Sequence, residues 1–468
     1  MRTRLATWLG RWWPLFPILV AEAVVWIGFG AILPVLPIYA TDNGIDVATF
    51  GVIAAALPAA RLVFEPLFGV LADRIRRRPL LVAALVLSAV SSALPLLSPT
   101  VGVLLVARAA AGVAAAMYDP AARGLNVDMT AEDQRGEAFG LYGSAQTGGL
   151  MLGPAIGALG AAVFSGFAFP FLFGAATSVI AGAYLMAAFH EGRSVGTAGP
   201  PVPAGHGHAA RTTVVVPPPF EAATPLAAPD PDAPVASEGG RSTGVGRATR
   251  ATSVGATPVP LAAPGGRDAP ARRIVNRLTV AAILMNFGFF FSVGVYEVVW
   301  SLYVVARGGS IAWVGFTFVT FSFPIIVLSP FAGRLIDRLG GLWFAVVGGI
   351  CIASTGVLYA LAADSVTLVW ITIFEGTANA FLGPALFALL AAGTPRGRSS
   401  TTQGLYGAAG TLGFIIAALA AGALYDADPR LPFVFFAAVA IVAIGVGTTV
   451  AWGADTRARP EPAAVAPG

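Results

Sequence analysis

Lysine is absent from this chain, and all 28 basic residues are arginine. A Walker A phosphate loop requires its lysine, so no ATP-hydrolysing engine of that kind is present, and Schiff-base chemistry on a lysine is excluded. Cysteine occurs once, as Cys351 inside an apolar run. An intrachain disulfide and a thiolate metal cluster are therefore impossible, and this thiol reads as a small packing residue. Histidine is limited to His190, His206 and His208, all at or beyond the end of an apolar run. That leaves none for a catalytic constellation within the runs. Charge is scarce as well: 11% of residues are charged, against roughly 25% in soluble domains.

What the chain has in quantity is apolar sequence: 56% of its 468 residues are hydrophobic, with a mean hydropathy of +0.78. One water-soluble core would not absorb this, whereas a bilayer does so at about 20 apolar residues per helix. Apolar runs fall near 15–39, 48–71, 79–98, 101–125, 138–163 and 168–189, then near 278–304, 312–335, 342–362, 366–391, 402–424 and 432–452. They predict an all-α polytopic membrane protein of twelve spans, numbered 1 to 12 below. The first is too long for a signal-peptide h-region and is expected to stay in place.

Arginine placement sets the expected orientation. Arg2, Arg4, Arg11, Arg74, Arg76, Arg77, Arg78, Arg135, Arg338, Arg396, Arg398, Arg457 and Arg459 fall on one side by parity. Arg307 and Arg430 fall on the other, beside Asp42, Asp46, Asp364, Asp426 and Asp428. The arginine-rich side, with both termini, is expected in the cytoplasm of a bacterial cell with the spans in its inner membrane.

Between 190 and 273 the composition shifts to Pro, Ala, Gly, Thr and Arg with one aromatic, Phe220. Such a segment is expected to be a disordered linker, since it has little apolar surface to offset its ordering entropy. His206 and His208 lack the ligands and geometry of a metal site. The expected organisation is a six-helix half at 1–189, the linker at 190–273, a second half at 274–455 and a tail at 456–468. The halves repeat each other 264 residues apart: Gly69, Asp73 and Arg74 recur as Gly333, Asp337 and Arg338, Gly112 as Gly376, and Gly140 to Gly143 as Gly404 to Gly407. Near the last hairpin the spacing slips to 262, Pro170 and Phe171 matching Pro432 and Phe433. Repeats of this kind imply alternating access to a site between them.

Outside the linker and tails the residues resemble the major facilitator superfamily. Gly69-Val70-Leu71-Ala72-Asp73-Arg74-Ile75-Arg76-Arg77-Arg78 is similar to its motif A, with Arg76 in place of the usual Gly, which the second copy keeps as Gly340. Arg108 and Gly112 resemble motif B, with Ala111 where Gln is common. Gly149, Gly153, Pro154 and Gly157 resemble the antiporter motif C, with Ala158 replacing its last Gly. Gly28, Pro34, Val35 and Pro37 resemble a motif of twelve-helix drug:proton antiporters. The resemblance implies two rocking six-helix halves and antiport, with Asp128 as the acidic partner of a conformational latch. On physical grounds alone, Gly69 and Gly333 permit close approach of helices, and Asp73, Arg74, Arg77, Arg78, Asp337 and Arg338 suit helix ends and pairing across the gap. The arginines serve equally as topology anchors. The Gly149 to Gly157 run reads as a packing surface.

A charge at the bilayer centre costs about 2.5 to 3.5 kcal/mol on insertion scales, so each is a functional candidate. Glu22, Trp26, Phe29 and Leu33 fall within about 40° on span 1, a surface suited to a lipophilic cation. The equivalent face of span 7 carries Asn286, Phe290, Val293 and Glu297, with Glu297 either functional or a solvated rim acid. Arg108 and Asp119 share a face of span 4 about 16 Å apart. Arg108 cannot release its proton and is expected to tune a neighbouring acid. Asp119 is either a mouth acid or a polar group at the Pro120 kink, and Arg61 and Glu65 pair at i and i+4. Glu375, with Asn379 on its face and no basic residue in span 10, is expected to carry a transferable proton. Tyr142 and Gln146 either line the cavity or bond across helices; Trp300, Tyr303 and Tyr39 are expected at the membrane interface.

The leading expectation is a proton-coupled exporter of a small lipophilic compound. It is expected to act as a monomer in the bilayer, with no cofactor, metal, nucleic acid or ATP, and not as an enzyme. The rivals are a proton-coupled importer of a sugar or other nutrient, and a scaffold or sensor acting through the linker.

Overall fold

The computed structural model describes residues 11–130, 135–188, 276–394 and 399–455. Within them, twelve long helical stretches follow the expected order with no strand among the described residues. Eleven have apolar windows long enough to cross a membrane. The remaining one, span 5 at Arg135–Val163, is diluted by its glycines and Gln146. The expected linker lies outside the described residues.

Span 1 comes in two pieces, Phe16–Ile32 and Leu36–Asp42, because Pro34 and Pro37 remove two amide donors around the break. Helix starts are capped in matched pairs. Asp46 and Ser310 open spans 2 and 8, accepting from Thr49 N and Trp313 N, and Thr100 and Asp364 open spans 4 and 10. The Thr49 and Thr367 amides hold the Asp46 and Asp364 carboxylates below the usual range, as expected at helix N-termini. The motif A turn has two backbone solutions. Gly340 takes φ +89°, while its counterpart Arg76 stays extended at φ −61°, ψ 131°. Arginine at this place thus avoids the left-handed region that glycine tolerates.

Packing repeats between the halves. Span 1 packs on spans 5 and 6 as span 7 does on 11 and 12; span 4 packs on 2 and 3 as span 10 does on 8 and 9. The halves meet where span 2 crosses span 11 and span 5 crosses span 8. These crossings are tight on the acidic side. A Cβ on Gly51 or Gly422 would overlap backbone of the opposite helix, and one on Gly315 would sit 2.7 Å from the Ala158 methyl. There the Ala48 amide also donates to Asp426 at 3.1 Å.

On the arginine-rich side the two motif A glycines show no close approach among the described residues. A Cβ on Gly69 or Gly333 would meet none of the described residues within 4 Å, and Arg74 and Arg338 are exposed. Arg77 pairs with Asp128 at 2.8 Å, inside the N-terminal half and not across the gap. Arg78 donates to the Met186 carbonyl at 2.5 Å, again within that half. The side chains of Asp73 and Asp337 lie outside the described ones. Trp300 and Tyr303 are buried inside the protein, 6% and 0% exposed. Trp300 donates to Thr317, and Tyr303 to the Tyr359 carbonyl. Tyr39 packs edge-on against Phe171 and donates to the Pro95 carbonyl.

Candidate functional site

The N-terminal half holds a partly open hollow among spans 1, 2, 3, 4 and 6. Its wall is largely apolar, with Trp26 and Phe29 in a T-shaped pair 5.4 Å apart. A narrow polar strip joins Ser88, Ser91 and Ser178, the Ser88 and Ser178 hydroxyls lying 3.0 Å apart. Small residues make the space: Ala107, Ala111, Ala114 and Ala115 from span 4 face it without filling it.

Glu22 does not line this hollow. It is fully buried behind Trp26, whose indole N–H turns back to donate to Oε1 at 2.9 Å. Gln146 reaches the same oxygen from span 5 at 3.3 Å, so this glutamine bonds across helices. The hydroxyls of Tyr118 and Tyr142 flank the carboxylate, and Oε2 accepts no hydrogen bond from the described residues. The expected cation-binding face therefore separates, Trp26 and Phe29 lining the hollow and the acid behind them.

Asp119 does line the hollow, at the far end of span 4 from Arg108, and the two are not paired. Arg61 is bonded to both Asp119 and Glu65, the latter at 2.8 Å. Arg123 completes the group, 3.5 Å from Asp119 and 3.8 Å from Glu65. The expected Arg61 and Glu65 pair is thus half of a four-charge cluster. Arg108 instead crosses to the other half, its Nη2 donating to Glu297 Oε1 at 2.5 Å. Glu297 is 12% exposed with its helix continuing to Ala306, so it is an interior partner and not a rim acid.

The other C-terminal candidates stand away from the hollow. Asn286 donates to the Tyr406 carbonyl at 2.9 Å, and with Phe290 it packs against Gly410 of span 11. Glu375 is buried in the C-terminal half, where Tyr296 and Tyr359 donate to its two oxygens at 2.8 and 2.7 Å. Around them Trp300, Phe433 and Phe436 close an aromatic cluster. Asn379 lies buried one turn further on. The sequence reading missed both tyrosine partners and the serine strip. The repeat itself held a signal for the tyrosines, since they stand where the first half has Ile32 and Pro95.

Gly149, Gly153 and Gly157 form a seam against span 1. A Cβ at the first two would come within 2.5 Å of the Ala23 and Ile27 carbonyl oxygens, and one at Gly157 would overlap that of Ala31. Pro154 fits against Gly30 on the same seam. Only glycine allows backbones so close.

The model of the Major Facilitator Superfamily matches residues 18–296 and 282–467. "Quinolone resistance protein NorA" of Staphylococcus aureus is 28% identical over 176 residues, 38% of this chain, and the match spans 45% of NorA's own length. "Multidrug resistance protein 2" of Bacillus subtilis is 23% identical over 443 residues, covering 94% of this chain and 95% of that one. Among solved structures, a bacterial homolog of the human lysosomal transporter Spinster, inward-facing and occupied, superposes with a TM-score of 0.68 at 13% identity over 97% of this chain and 99% of its own. Two structures of the nucleoside transporter NupG give TM-scores of 0.62 and 0.63 at 12% and 11% identity, each covering 93% of this chain and 99% and 98% of its own. At such identities the structures speak for the fold alone. The family model, matching nearly the whole chain in two copies, places this protein as a multi-pass membrane transporter of the major facilitator superfamily.

Proposed function

We propose that this chain exports a small lipophilic compound in exchange for protons entering the cell, by rocking of its two halves, as a monomer without cofactor or ATP. The observation that carries the reading is the tight closure of the acidic side beside a mostly apolar hollow. The halves interlock on the acidic side, at Gly51, Gly422 and Gly315 and through Arg108 with Glu297. By the positive-inside rule the arginine-rich side is cytoplasmic, so on this reading the closed side faces outward, as in a state from which an exporter loads. The relatives named for quinolone and multidrug resistance support a drug-like cargo.

The coupling acids follow from partnership. Glu65, Asp119 and Glu297 are each paired with arginine, and protonating any of them forfeits an ion pair, which for Glu297 strands the buried Arg108. Glu22 and Glu375 have only neutral hydrogen-bond donors, so a proton can arrive and leave without that cost. One proton moving inward down 100 mV supplies about 2.3 kcal/mol, roughly a fifty-fold cargo gradient.

The test uses inverted vesicles with an acid lumen and a lumenal pH dye. A lipophilic drug should alkalinise the lumen with the parent and leave it unchanged with a Glu22→Gln, Glu375→Gln double variant. Pumping by that variant at the parental rate would overturn the assignment.

A further inference from the structure

The charged side chains lining the hollow are Arg61, Asp119 and Arg108, and Glu22 is not one of them. Arg61 and Asp119 already satisfy each other. Arg108 is different. It is 7% exposed, and its Nε–H has no partner among the described residues, although a buried charged donor without an acceptor is destabilising. Nε and Nη2 form one edge of the guanidinium fork, the edge that takes both oxygens of a carboxylate. Glu297 occupies only its Nη2 end, so the edge is half used.

We infer that the hollow binds an aromatic ligand carrying a carboxylate, which docks on the Nε–Nη2 edge of Arg108 and displaces Glu297 while its ring rests on Trp26 and Phe29. This names a cargo class for the transport reading above and rests on it. It also reverses the polarity anticipated for the site, because the acid that was to attract a cation is sealed behind Trp26. The displacement has a second effect. The Arg108 to Glu297 pair joins the two halves on the closed side, so ligand binding removes one of the bonds holding that side shut.

The test uses the purified full chain in nanodiscs, with equilibrium dialysis of 2-naphthoate and its uncharged counterpart 2-naphthamide at pH 7, and empty nanodiscs as the blank. The parent should bind the acid about tenfold or more tightly than the amide, as one charge-assisted contact implies. Arg108→Gln made together with Glu297→Gln, so that no buried charge is stranded, should bring the acid down to the amide's affinity, and an unfolding temperature equal to that of Glu297→Gln reports that the variant is folded. Glu297→Gln, by removing the competing carboxylate, should tighten the acid several-fold. Equal binding of the two probes by the parent, no binding of either, or weakening of the acid by Glu297→Gln would overturn the proposal. If drug-driven alkalinisation survives in the vesicle assay while the acid preference is missing, only this inference falls. If the preference is found and no proton movement follows, the export reading falls instead.

Discussion

At equivalent places in the repeat, the N-terminal half has Ile32, Leu36, Pro95 and Ala111 where the C-terminal half has Tyr296, Trp300, Tyr359 and Glu375, and Gly174 where it has Phe436. Ile32, Leu36, Pro95 and Ala111 line the hollow; their counterparts fill the corresponding volume with the cluster around Glu375. Helix packing is the same in both halves, so the difference is one of side-chain volume on a shared scaffold. It teaches that side-chain volume at a few positions of one duplicated scaffold distinguishes a hollow from a block packed around a buried acid.

The strongest way to break that comparison is to fill the hollow. Ala111→Phe should reduce transport of any cargo by about tenfold or more, since a lost snug contact surface is worth at least one such factor, while the unfolding temperature changes little. Transport at the parental rate would show that the hollow is not the cargo site. A smaller effect is expected at the seam between spans 1 and 5. Gly157→Ala drives a methyl into the Ala31 carbonyl and should cost about 1 to 3 kcal/mol by overpacking. Its counterpart in the second half is already alanine, Ala421, fully buried. Chemical denaturation in detergent micelles reads the difference, and a neutral result would mean the two seams are equally loose.

The smallest effect concerns the caps, where the halves use different chemistry at equivalent places. Asp46 and Asp364 have carboxylates lowered by the Thr49 and Thr367 amides, whereas their counterparts Ser310 and Thr100 do not titrate. A lowered folded-state value contributes stability above the unfolded value of about 4, lost as pH falls through the folded one. The gap in unfolding temperature between the parent and Asp46→Ser or Asp364→Ser should therefore be constant from pH 8 to about pH 5 and close below about pH 4. Ser310→Ala should show a gap with no such dependence.

Much of this architecture could be read directly from the residues. The bilayer enforces long apolar runs, and the duplication keeps its spacing through loops, so the spans, the halves and their order followed. The glycine seam was legible because small residues at helical spacing have few other uses. Partnerships between distant spans were not. Arg108 and Glu297 are 189 residues apart in opposite halves, and no local pattern ties them. Helical angles correctly grouped Glu22 with Trp26 and Phe29, yet a rotamer of Trp26 decides that the acid is hidden while the rings are not. Arg76 illustrates the same limit: the substitution was visible, but whether its turn would bend through the left-handed region was a question of backbone.

The four-charge cluster of Arg61, Glu65, Asp119 and Arg123 has a consequence for how the membrane voltage acts. Two positive and two negative groups carry zero net charge, and so does the bonded pair of Arg108 with Glu297. Displacing either group as a unit along the membrane normal does no electrical work, since that work scales with net charge at about 2.3 kcal/mol per 100 mV. Once Arg108 and Glu297 part company, each becomes a separate charge in the field. Breaking that bond is thus a step on which the potential can act directly.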